Sequence, residues 1–208
     1  SPKITDKLVT VLLWLSAFLI IGILLSFLLY ILYKGLPVLT WDFITGRSSD
    51  IEAGGGVGSQ LFNTFYILVL SFGVAFPVAV GAGIYLSEYA GNSRLTDIVR
   101  LSTESLATVP SIVLALFGMI IFINILGFGI SIIAGAMTLT LLNLPLLVRV
   151  TEESLRAVPQ SYREASLALG ATKWQTIWRV VLPNALPGII TGITLTAGRA
   201  VGETAILI

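Results

Sequence analysis

Residues 8–33 run LVTVLLWLSAFLIIGILLSFLLYILY, with no charged side chain anywhere in the block. At the α-helical rise this stretch reaches roughly 39 Å, more than the roughly 30 Å of a bilayer's hydrocarbon core. A backbone surrounded by lipid must satisfy its own hydrogen bonds, so a block of this kind crosses as a helix. The alternative, a secretory signal with Lys3 and Lys7 as its basic start, fits less well: the apolar run is too long and no small-residue cleavage site follows. Working outward, residues 61–86 form a second uncharged block, interrupted by Pro77, where a kink is expected. Residues 106–126 and 130–148 form a third and a fourth, joined by Gly127, Phe128 and Gly129 as an antiparallel hairpin. A fifth begins near Ala185 and continues to Ile208. The whole chain is 56% hydrophobic and 11% charged, with a mean hydropathy of +0.97, values far from those of soluble domains. The fold class is therefore all-α: a polytopic membrane helix bundle with about five spans.

Composition also excludes chemistry. With no cysteine and no histidine, disulfides, thiolate or imidazole metal sites and histidine acid–base catalysis are out of reach. A net charge of +1 gives no broad attraction to nucleic acid. Gly54, Gly55, Gly56 and Gly58 are followed by Ser59 and Gln60, without the lysine and hydroxyl residue that a phosphate-cradling loop requires, so they mark a flexible turn. Gly73, Gly81 and Gly83 fall inside the second block, where small residues let helices approach closely.

Orientation follows from the basic residues, which accumulate in short cytoplasmic loops. Lys3, Lys7, Arg94, Arg100, Arg149, Arg156, Arg163, Lys173 and Arg179 fall on one side of the spans, against Lys34 and Arg47 on the other. The N-terminus is expected to be cytoplasmic, residues 34–60 external, residues 88–105 internal, and residues 149–183 a large internal loop.

That large loop carries local signals of its own. Pro159 opens a short helix and Gly170 closes it, the favoured order for the two residues. Thr172 and Gln175 have capping-box spacing, so a second helix is expected to run toward Leu182 and to stop at Pro183. Ala165, Ser166 and Ala168 would let the first helix sit close to a partner, and Arg156, Arg163, Lys173 and Arg179 form a charged rim. Spacing alone leaves two readings open, a solvated connector or a docking surface.

The pattern Glu164-Ala165-Ser166, three residues, Gly170, nine residues, Val180, one residue, Leu182-Pro183 resembles the glutamate-alanine-alanine loop of bacterial ABC importer permeases. Ser166 and Val180 stand where alanine and isoleucine are commonest. The resemblance implies a type I ABC importer permease fold in which Glu164, Ala165, Gly170, Leu182 and Pro183 dock a cytoplasmic ATPase subunit. It further implies an ATPase dimer carrying ATP and magnesium, no cofactor on this chain, and a second permease subunit. Residues 183–192 and the run from Gly198 to Ala205 are similar to permeases of phosphate-specific ABC transporters, the PstA type, as is the run Thr108-Val109-Pro110-Ser111-Ile112-Val113. An extracytoplasmic phosphate-binding protein and a bacterial or archaeal inner-membrane location follow from that likeness. Residues 1–60 would then be an N-terminal tail, first span and external loop, and residues 61–208 the permease core, with a sixth span expected beyond residue 208.

Arg199 and Glu203 lie four residues apart inside the fifth apolar block and share one helix face. Ionisable residues at such depth face the protein interior or a wet cavity. Arg199 could offer paired donors to an oxyanion on the translocation path, held by Glu203, or the two could form a structural ion pair. Two rival functions stand beside phosphate import. One is the same architecture carrying sulfate or molybdate. The other is an ion-coupled carrier, which calls for inverted repeats and broken helices that the sequence does not display.

Overall fold

The computed structural model describes residues 2–47, 55–91 and 93–203, and every regular element among them is helical. Gly54, Thr204 and Ala205, and the continuation of the fifth apolar block over residues 204–208, lie outside the described residues. Two compact units are present, residues 1–62 and 63–208. In the first unit, α1 (Pro2–Gly35) is one unbroken helix whose large apolar side chains are exposed on all sides. Residues 5–38 meet the length and hydropathy of a membrane span. A short helix, α2 (Trp41–Thr45), follows with Thr40 accepting from the Phe43 N–H as its cap. Val57 then donates to the Phe43 carbonyl at 2.8 Å and closes the turn.

The remaining helices are α3 (Gly58–Ile84), which continues as a wide π-type turn over Tyr85–Tyr89, α4 (Arg94–Thr108), α5 (Ser111–Gly118), α6 (Ile132–Arg156), α7 (Gln160–Ala168), α8 (Lys173–Thr176) and α9 (Leu182–Gly202). The second unit is organised around α6, which packs against α4, α5 and α9 and against the end of α3. Contact is close where side chains are small: a Cβ on Gly83 would fall 2.6 Å from the Thr151 Cγ2. Gly73 and Gly81 have nothing within 4 Å of the equivalent position, so of the three glycines only Gly83 serves packing within this chain. The hydroxyls that α6 buries are satisfied on the spot, Thr138, Thr140 and Thr151 each donating to the carbonyl one turn earlier. Asn143, 1% exposed, has an amide nitrogen without a hydrogen-bond partner.

Among the described residues four helices are long and apolar enough to cross a membrane, or five if one bent pair is counted as a span. The third block was expected as one span over residues 106–126, but the helix breaks at Val109 and Pro110, and α4 meets Ser111–Ile125 at 102°. Pro110 lacks the N–H needed to continue the ladder and forces Val109 into extended backbone. Residues 88–105, the segment expected on the internal side, are mostly helical, because Ser93 accepts from the Thr96 N–H at 3.3 Å and starts α4. The hairpin turn at Gly127 and Gly129 is present, both glycines having positive φ.

Two more boundaries move. Helix α6 runs eight residues past Val148, through the start of the expected internal loop. The charges there pair along the helix, Arg149 with Glu153 at 2.9 Å and Arg156 with Glu152 at 3.0 Å; charge sets the edge of the bilayer, not of the helix. Pro183 likewise fails to stop the helix that begins at Lys173, which continues to Gly202. Just before it, Ile177–Val181 forms a π-type turn in which the Leu182 N–H reaches the Ile177 carbonyl. Pro183 therefore sits in the first turn of the following α-helical segment, where a missing donor is tolerated, and the Asn184 side chain donates to the Val180 carbonyl at 2.7 Å.

Candidate functional site

The segment between α6 and α9 is a double bend, each part of which has a local cause. Pro159 fixes the entry to α7. At the other end of α7 the Gly170 N–H donates to the Leu167 carbonyl at 2.9 Å and the Ala171 N–H to the Ser166 carbonyl at 3.2 Å. These two bonds form a Schellman motif, which needs a left-handed residue, and Gly170 supplies it with φ +82°. Two residues later Thr172 and Gln175 form a complete capping box and restart the chain as α8. The Ser166 and Thr176 hydroxyls, 2.9 Å apart, tie α7 to α8.

Behind α7 lies a dense polar junction. Arg163 donates from Nη2 to Glu88 Oε1 at 2.7 Å and from Nε to both carboxylate oxygens at 3.2 and 3.3 Å. The same guanidinium donates to the Val158 carbonyl at 2.7 Å and the Leu155 carbonyl at 2.8 Å. Pro159 has no N–H to offer the Leu155 carbonyl, so the arginine fills that place and sets positive charge at the C-terminus of α6. The two side chains are only 12% and 8% exposed. From α8, Lys173 donates to the Glu88 backbone carbonyl and lies 4.6 Å from the centre of the Tyr89 ring. A groove of about 770 Å³ opens beside this junction, lined by Ser87, Glu88, Gln160, Arg163 and Lys173 among others. Nearby, Arg100 pairs with Glu152 at 2.9 Å and donates to the Leu86 carbonyl, and Arg149 pairs with Glu104 at 2.9 Å, which fasten α4 to α6.

The five residues of the docking motif divide into two places. Glu164, Ala165 and Gly170 are exposed on α7 and its C-terminal turn. Leu182 is half-buried against the apolar cluster of Leu155, Ile177 and Val181, and Pro183 is exposed at the start of α9. Pro183 stands roughly 15 Å along the helix from Lys173. Arg199 and Glu203 do pair, Nε to Oε1 at 3.3 Å, with the arginine side chain 44% exposed and the glutamate 15%. Among the described residues no group of acidic side chains is arranged to hold a metal ion.

Sequence reasoning missed Glu88, Arg100 and Glu152. Of these, Arg100 was counted only among the basic residues that set topology. Glu152 had a local signal in Arg156, one turn on, whereas the partners of Glu88 lie far along the chain.

With this geometry in view, the comparisons are informative. Residues 77–208 match the family described as binding-protein-dependent transport system inner membrane component. The chain is 48% identical over 208 residues to the probable ABC transporter permease protein YqgI of Bacillus subtilis, covering all of this chain and 71% of that protein. It is 46% identical over 154 residues to the phosphate transport system permease protein PstA 1 of Mycobacterium tuberculosis, covering 74% of this chain and 50% of that one. Among solved structures, an inward-facing MetNI methionine ABC transporter superposes with a TM-score of 0.58 at 32% identity, over 71% of this chain and 68% of that chain. The all-helical bundle is thus of the kind found in type I importers, and the chain belongs to the binding-protein-dependent transport system inner membrane components, the permeases of ABC importers.

Proposed function

We propose that this chain is the membrane permease subunit of an ATP-driven phosphate importer in a bacterial or archaeal inner membrane, with its N-terminus and residues 149–183 cytoplasmic. The observation that carries the coupling role is the contrast within α7. Arg163 is gripped from behind by Glu88 and two carbonyls, while Glu164 and Ala165, the next residues, are bare. A helix fixed on one face and open on the other transmits a push instead of absorbing it. In this reading a cytoplasmic ATPase dimer, which carries the ATP and magnesium, seats α7 in a groove. Its closure moves the bend, and the spans alternate between inward and outward openings. A second permease subunit completes the path and an extracytoplasmic phosphate-binding protein delivers the substrate. The chain itself performs no covalent chemistry.

Phosphate as cargo is supported by the name of a relative 46% identical to this chain. Arg199 suits such a cargo because a guanidinium offers paired donors to a tetrahedral oxyanion, with Glu203 holding it in place. The test uses the permease assembled with its companion subunits in vesicles. Ala165→Arg should release the ATPase while leaving the membrane subunits together; an ATPase that still co-purifies sinks the docking role. Uptake of radiolabelled phosphate should resist competition by sulfate and molybdate, and preferential sulfate or molybdate uptake overturns the cargo assignment. Arg199→Gln should lower phosphate uptake in an intact complex, and normal uptake removes Arg199 from the path.

A further inference from the structure

The coupling bend is covalently joined to α6 at one end and to α9 at the other, but α3 has no such connection to it. Ile84 of α3 packs in one apolar cluster with Val158 and Ile177, and the polar link from α3 to the bend is Glu88, in the last turn of the helix, 75 residues from Arg163 and 85 from Lys173 in sequence. Its carboxylate takes the Arg163 fork from α7, and its backbone carbonyl takes the Lys173 ammonium from α8. Ser87 adds a hydroxyl donor to the same carboxylate at 3.3 Å. Arg163 is also committed to the Leu155 and Val158 carbonyls, so one guanidinium ties α3, α6 and α7 together. A planar fork with its donors fixed in two directions resists both sliding and rotation, which a lysine point charge in its place would not.

We infer that Glu88 and Arg163 are positioning residues that carry displacement of α7 to α3, so that the first core span moves together with α6 and α9. The inference rests on the docking role proposed for α7. Because both side chains are almost enclosed, neither is part of the exposed face offered to an ATPase. Breaking the pair should therefore separate binding from coupling.

The experiment measures three things on the full complex in vesicles: ATPase co-purification, ATP hydrolysis, and phosphate taken up per ATP hydrolysed. Glu88→Gln should retain the ATPase and hydrolysis but lower uptake per ATP severalfold, because the enclosed Arg163 guanidinium loses its charged partner. Arg163→Lys should lower the same ratio. Where Glu88→Gln fails to assemble, Glu88→Asp, which keeps the charge but shortens the reach by one methylene, carries the test, and its ratio should fall too. An unchanged ratio in an assembled variant overturns the inference. Loss of hydrolysis and uptake in equal proportion, the signature of a merely structural role, overturns it as well. Ala165→Arg keeps the two levels of argument apart: if it leaves the ATPase bound, the docking role fails whatever Glu88→Gln does.

Discussion

Replacing Gly170 by alanine isolates a backbone term, because its φ is +82° and a Cβ built there has nothing within 4 Å. No steric contact enters, so the penalty is the intrinsic cost of the left-handed conformation for a residue with a Cβ, about 1–2 kcal/mol. That corresponds to a roughly 5- to 30-fold smaller population of the intact turn. The Schellman bond from the Ala171 N–H to the Ser166 carbonyl reports it directly. Hydrogen exchange at Ala171 should accelerate by the same roughly 5- to 30-fold in Gly170→Ala. Asparagine, which tolerates the left-handed region, should accelerate it less, and valine, for which that region is an outlier, should accelerate it more. If the bent form is the one that an ATPase binds, the apparent dissociation constant rises as the competent fraction falls, up to the same factor. Unchanged protection at Ala171 in Gly170→Ala refutes the reasoning. So does asparagine proving as harmful as valine, since the order of the three rests on backbone preference alone.

Thr172→Ala should cost about 1 kcal/mol by removing the hydroxyl half of the capping box, read as a lower thermal midpoint of the purified protein; an unchanged midpoint shows the box to be idle. Gly83→Ala should destabilise the α3–α6 contact by about 1–3 kcal/mol because its Cβ overlaps Thr151, whereas Gly81→Ala, with nothing within 4 Å, should not; equal effects would contradict the packing. Asn143→Leu removes a buried amide nitrogen without a hydrogen-bond partner and should raise stability, by at most the about 1–3 kcal/mol that such an unpaired group costs, because the bulkier leucine must also be accommodated. A loss of stability would mean that the amide is bound by something in the assembled membrane protein.

How much of the fold was legible depended on what each signal measures. Uncharged length reports depth in lipid, and α1, α3, α6 and α9 were all visible on that basis. Helix boundaries were not, since a helix can leave the bilayer without ending. Arg149, Glu152, Glu153 and Arg156 end the apolar run but keep α6 going through pairs one turn apart. Pro183 has the form of a stop signal, and only the π-type turn before it, invisible to any residue count, lets the helix pass. Pro110 did break its helix, and nothing in the apolar pattern separates the two prolines.

The same limit explains the site. Proline entry, glycine turn and capping box are local devices, each fixed by residues within one or two turns, and the bend over residues 157–176 was legible for that reason. Glu88 was not, because its meaning comes from Arg163 and Lys173, which lie far along the chain and meet it only after α3, α6 and α8 have packed. An acidic residue at the end of an apolar helix has a bland reading as a solubilising charge. What removes that reading is enclosure: at 8% exposure a carboxylate without partners would cost several kcal/mol, so its position implies a cation behind the coupling helix. The motif's exposed residues show where a partner could push. The enclosed pair behind them ties that surface to α3, and only the second of these depends on the tertiary structure.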